Sequence, residues 1–171
     1  MLSRTLDPVT RANLQALVDA NFTQRDELYE AAECLDDEDR RQVCQRLADH
    51  LAGHAIHLQQ VLAQMGAGVP EPPASTDKQA QFRRAREVGG ANAVLEIVER
   101  CEHSLNDVYA RAIQATPDSE AVGIIEAQHR NVDFGERVLR SLRRDEGSAH
   151  PRRIAQSVRS TSRKRERGRP A

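Results

Sequence analysis

His50, His54 and His57 fall within one short stretch that reads as helix, and His129 follows Glu126 by one helical turn. Imidazoles three or four residues apart on a helix share a stripe and can chelate Zn²⁺ or Ni²⁺. Helical-bundle di-metal sites use a related pattern: two helices each give a single carboxylate and the other two each give a Glu-x-x-His pair. Glu126-Ala-Gln-His129 is one such pair, and His54-Ala-Ile-His57 stands where the second would be, with His in place of Glu. Glu27 and Glu30 in the first helix, and Glu99 and Glu102 in the third, offer the single carboxylates. The ligand set for Fe, Mn or Zn would then be His54, His57, Glu99, Glu102, Glu126 and His129. At about 100° per residue the wheel opposes this set. Glu27 and Glu30 point away from the face formed by Leu14, Leu17, Val18, Leu28, Tyr29 and Ala32, and Glu126 lies nearly opposite the row Ala121, Ile125, Gln128, Val132, Gly135 and Leu139.

The polar residues that do point inward make a different set. His54 lies among Leu47, Leu51, Leu58 and Val61; Asn21 and Arg25 lie on the apolar face of the first helix, and Gln128 on that of the fourth. Cys101 falls on the apolar face of the third helix, with Glu102 at its boundary. Buried polar groups need partners, and a buried Arg needs a carboxylate. The pattern therefore predicts a polar layer of Asn21, Arg25, His54, Glu102 and Gln128 in which Arg25 pairs with Glu102. Such a layer fixes helix register, as single polar residues do in coiled coils; its functional alternative is a small buried site for a metal or an anion. Cys34, Cys44 and Cys101 are odd in number, form no CxxC pair and read as reduced thiols.

The elements that must carry these residues are helices. Ala, Leu, Glu, Gln and Arg dominate, and Trp is absent, so the core is built from aliphatic side chains. Asp7-Pro8 is an N-cap followed by a first-turn proline, opening a helix to about Leu35. The acids 36–39 cap a second helix that ends at Met65-Gly66. GAGVPEPPAST is a Pro/Gly-rich link, after which a short helix over 77–88 meets Gly89-Gly90. A third long helix spans 91–115, and Thr116-Pro117 repeats the cap-then-proline signal for a fourth, to about Arg144. An offset of 80 residues pairs DELYEAA with NDVYARA around Tyr29 and Tyr109, a weak internal repeat that a duplicated helical hairpin would leave.

The run Tyr29, Ala31, Ala32, Glu33 and the run Glu99, Arg100, Glu102 resemble motifs of a bacterial ferritin-like four-helix-bundle family, a domain of unknown function. Cys101 and His103 depart from its pattern. The resemblance covers residues 12–144 and implies an antiparallel four-helix bundle with a long crossover between the second and third long helices, over residues 1–146. It brings no established activity. The reading it favours is a non-catalytic bundle acting as an interaction or stress-related protein; the enzyme-class alternative is a di-iron oxidase on the same bundle.

Charge is distributed unevenly. Residues 152–171 hold eight of the 25 basic residues and one of the 26 acidic ones, leaving 17 basic and 25 acidic residues for the rest. Residues 147–171, poor in apolar side chains, read as a disordered basic tail. Arg159, Arg163, Lys164, Arg165, Arg167 and Arg169 suit phosphate contacts with nucleic acid or salt-sensitive contacts with an acidic protein, and a DNA-tethered mini-ferritin-like particle is the third reading. The tail has no aromatics on which bases could stack. No signal peptide or membrane-length apolar run is present, so the expectation is a cytoplasmic protein away from membranes. A homo-oligomer is compatible with the pattern but would need an apolar patch that the pattern does not locate.

Overall fold

The computed structural model describes residues 7–68, 71, 73, 78–117 and 120–144. They form four helices, α1 (Pro8–Glu33), α2 (Glu38–Gln64), α3 (Gln79–Ala115) and α4 (Val122–Arg144), with no strand among the described residues. The tail residues Arg159, Arg163, Lys164, Arg165, Arg167 and Arg169 lie outside them.

The caps explain the starts of α1 and α2. Asp7 Oδ1 accepts from the backbone N–H groups of Val9 and Thr10, both at 3.0 Å, and Asp37 Oδ1 accepts from Arg40 N at 2.8 Å. Each satisfies N–H groups that the first helical turn leaves without carbonyl partners. Glu38 and Asp39 then sit in the first turn of α2, where the helix dipole favours negative charge. Thr116 departs from expectation. It closes α3 rather than opening α4, because its hydroxyl donates back to Ala112 O at 2.7 Å. The fourth helix begins at Val122, later than Pro117 suggested.

Gly90, with φ 67° and ψ −161°, interrupts α3. Residues 79–89 form an arm that doubles back along the remainder of the helix. Lys78, at the arm's start, meets Glu27 of α1, and Cys101, well down the main segment, faces the same Glu27. Arg86 pairs with Asp36, Gln79 Nε2 donates to Glu33 Oε2 at 2.8 Å, and Phe82 is fully buried beneath the arm. The Gly90 conformation lies in a region that only glycine occupies without strain. Gly90→Ala is therefore expected to lower stability by about 1–3 kcal/mol, read as a lower urea midpoint with an unchanged slope.

The helices neighbour one another in the cyclic order α1, α2, α4, α3, so α2 and α3 are consecutive in the chain but not adjacent in the bundle. Contact is extensive between α1 and α2, α3 and α4, and α1 and α3, and sparse between α2 and α4. The core is aliphatic: Leu14, Leu17, Leu28, Leu58, Leu62, Val94, Leu95, Val98, Ile125 and Leu139 are all fully buried. Each such side chain contributes roughly 1.5–3 kcal/mol of burial free energy. The row Ala121, Ile125, Gln128, Val132, Gly135 and Leu139 is the buried face of α4. Among the described residues no helix is long and apolar enough to cross a membrane.

Candidate functional site

A continuous hydrogen-bonded chain crosses the interior and touches every helix. Asn21 on α1 donates through Nδ2 to Leu17 O at 2.7 Å and to the Tyr109 hydroxyl of α3 at 2.8 Å. The Tyr109 hydroxyl donates in turn to Gln128 Oε1 of α4 at 3.0 Å, and Gln128 Nε2 donates to the His54 carbonyl of α2 at 3.3 Å. Tyr109 has no solvent exposure, and the His129 ring stacks on it at 5.9 Å between centroids and 7° between planes. Burial raises the phenol's pKa above its ordinary value, so the hydroxyl stays protonated and available as a donor. Asn21 and Gln128 both belong to this layer and are buried in it. His54 enters through its backbone carbonyl; its half-buried ring has Nε2 at 3.5 Å from Asn131 Nδ2. Burial, then the neighbouring His50 and His57, lower the His54 pKa to about 4, so the ring is neutral at physiological pH.

A second polar cluster surrounds Glu102, which is 1% exposed. Arg25 is not its partner. The Arg25 guanidinium binds its neighbour Asp26 (Nη2 to Oδ1, 2.6 Å) and lies 4.7 Å over the Phe22 ring. Its long side chain reaches solvent from a boundary position instead of turning into the core. The groups that face Glu102 are Gln24 of α1, Cys44 of α2 and Glu136 of α4. Burial, and secondly the Glu136 carboxylate, push the Glu102 carboxyl up to about 8, against a smaller opposing effect of the Gln24 amide. A neutral carboxylic acid thus replaces the expected ion pair. Space is tight here, since a Cβ at Gly135 would stand 2.8 Å from Glu102 Oε1 and 3.2 Å from Leu47 Cδ2.

Glu136 has its own partners on the side away from Glu102. Asn106 Nδ2 donates to it at 2.6 Å, Arg140 pairs with it, and His103 Nδ1 lies 3.5 Å away. Arg140 and Arg143 also bind Glu99 through their Nε atoms, each at 3.0 Å. Glu99 is therefore occupied by two guanidiniums, which would have to be displaced before it could ligate a cation.

The six-residue ligand set is not brought together. His57 and Glu126 are exposed, Glu99 is held by arginines, Glu102 lies in the core, and His129 covers Tyr109. No cluster of three or more His, Cys, Asp or Glu side chains among the described residues has a metal-holding arrangement. Two facing assignments also need correction. Glu27, expected to face solvent, is 3% exposed because the α3 arm covers it with Lys78; Tyr29, expected in the core, is 38% exposed and donates to Asp49. The two tyrosines paired by the weak repeat thus occupy opposite environments.

Sequence reasoning missed Gln24, Asn106, the Tyr109 hydroxyl and Glu136. Two signals were present: a buried tyrosine oxygen requires a partner, and Asn106 follows Glu102 by one turn on the same face. Glu136 gave no comparable signal, since it sits beside the inward Gly135 and is buried through its contacts with Asn106 and Arg140. No protein-family model, curated protein or solved structure matches this chain.

Proposed function

We propose that this chain is a non-catalytic, ferritin-like helical bundle in which the interior polar groups hold four helices in register, and that it acts through its outer faces as an interaction protein in the cytoplasm. The observation that carries this reading is the chain Asn21–Tyr109–Gln128–His54, whose hydrogen bonds run from one helix to the next and end on backbone carbonyls at Leu17 and His54. A hydrogen-bond chain that closes on backbone acceptors directs its donors at the protein itself. The neutral Glu102 fits the same account, because an acid kept protonated is a poor ligand for a cation. The ferritin-like assignment rests on the motif runs of α1 and α3 together with the cyclic helix order, in which α2 and α3 are not neighbours.

Anaerobic titration with Fe²⁺, and parallel titrations with Mn²⁺ and Zn²⁺, test the non-catalytic reading. The expected result is no saturable binding of iron or manganese at the stoichiometry of a di-metal centre. Tight uptake of about two iron ions per chain, lost in Glu102→Gln, would replace this reading with a di-iron oxidase.

A further inference from the structure

The arm of α3 is fastened to the bundle by little apolar surface and much charge. Of residues 79–89, Phe82 alone is buried; Gln79, Ala85 and Arg86 are half-buried, and the rest, Val88 included, are exposed. The polar contacts fall on acids that recur every three residues along α1 and just past its end. Lys78 binds Glu27 through Nζ and donates its backbone N–H to Glu30 Oε2 at 3.0 Å. Gln79 Nε2 donates to Glu33 Oε2 at 2.8 Å, and Arg86 pairs with Asp36. Open cavities flank the arm. One, of about 400 Å³, lies among Gln79, Arg83 and Arg86 on the arm and Glu33, Cys34 and Asp36 beside it. Another, of about 280 Å³, lies at its foot among Lys78, Glu27 and Cys101.

We propose that the arm is a self-bound occupant of an interaction groove, made of the apolar site that Phe82 fills and the acid row of α1, and that an outside partner helix displaces it. The partner's chemistry is the arm's own. Lys78, Phe82 and Arg86 stand four residues apart on one stripe, so the groove takes an amphipathic helix with an aromatic side chain and a Lys or Arg one turn to either side. Acidic flanks would meet Glu27, Glu33 and Asp36 and be repelled. Gly90 lies outside the helical region, so the arm lifts there without unwinding the main segment of α3. About three turns of helix are too short to stay helical alone in water; the lifted arm therefore unwinds, and the partner takes over its contacts. The inference rests on the interaction role proposed above and gives that role a surface.

The tests use the full-length protein. In the parent, hydrogen exchange read by mass spectrometry is expected to show the amides of residues 83–89 exchanging by local opening, well ahead of α1 and the main segment of α3. A fluorescein-labelled peptide of residues 78–89 is expected to bind Phe82→Ala, whose own arm is weakened, at least about tenfold more tightly than the parent, where the tethered arm competes. The same peptide carrying Phe82→Ala should not bind, and high salt should weaken the complex of the first. Arm amides that exchange only together with the core, a bundle that unfolds as a whole in Phe82→Ala, or equal binding of the two peptides would each overturn the proposal. Light scattering that finds the parent dimeric and Phe82→Ala monomeric would make a second copy the occupant and overturn the outside partner. The metal titration decides the non-catalytic reading separately, so a failed groove and a failed reading give different results.

Discussion

Glu102→Gln is expected to leave the protein about as stable as the parent at pH 4.5 and to make it clearly more stable at pH 8. The folded carboxyl titrates near 8, whereas the unfolded chain titrates near the ordinary 4.5. Between those values the folded protein retains a proton that the unfolded chain releases. Its stability therefore falls as pH rises, by about 1.4 kcal/mol per pH unit for this single group. Over the whole window the loss is on the order of a few kcal/mol, and it is complete once pH passes the folded value. His54 works in the opposite direction. Its folded pKa lies near 4 and its ordinary value is 6.5, so it adds stability as pH rises from 4 to 6.5. The two slopes oppose each other up to 6.5, and above it only that of Glu102 remains. Urea unfolding from pH 5 to pH 9 checks this: the parent should lose stability between 6.5 and 8 while Glu102→Gln does not. Parallel curves for the two proteins would mean that Glu102 is ionised in the fold, and the account of its environment would be wrong.

Tyr109→Phe carries the second large effect. The substitution preserves the ring, its stacking on His129 and nearly all its volume, and deletes the hydroxyl that links α1 to α4. Asn21 keeps its bond to Leu17 O, but Gln128 Oε1 loses its donor inside the core. A buried acceptor left without a partner costs about 1–3 kcal/mol, and the lost bond to Asn21 adds to that. The expected result is a drop in stability of roughly 2–3 kcal/mol in urea unfolding, with no change in helix content by circular dichroism. A change below about 0.5 kcal/mol, the range of ordinary surface substitutions, would show that the hydroxyl contributes nothing to holding the helices.

How far these features could be read from sequence depends on what each rests on. Asp7 and Asp37 act on N–H groups two or three residues away, so their capping roles are visible as local patterns. The Gly90 break is equally local. The inward row of α4 follows from periodicity because α4 has one strongly polar and one strongly apolar side. Glu27 was misread because its burial comes from the arm of α3, far along the chain, and no wheel drawn on α1 alone contains that arm. The Arg25–Glu102 pair failed for a related reason. Chemical complementarity allowed it, but Arg25 could reach solvent and Asp26 by its own length, while Glu102 could be made neutral by burial. Which of several inward polar residues meet is decided by helix rotation and axial offset. A shift of about 1.5 Å per residue changes every partner.

The central claim is that the interior polar groups are coupled to one another across helices. A double-mutant cycle between Tyr109→Phe and Gln128→Met, measured by urea unfolding near pH 6, tests it most directly. Met removes the amide at nearly constant volume, so the cycle isolates the bond between the hydroxyl and Gln128 Oε1. The account predicts a coupling of about 1 kcal/mol or more, with the double variant less damaged than the sum of the two single ones. Strictly additive losses would contradict it, leaving Tyr109 and Gln128 as independent core residues and the four-helix layer without its central link.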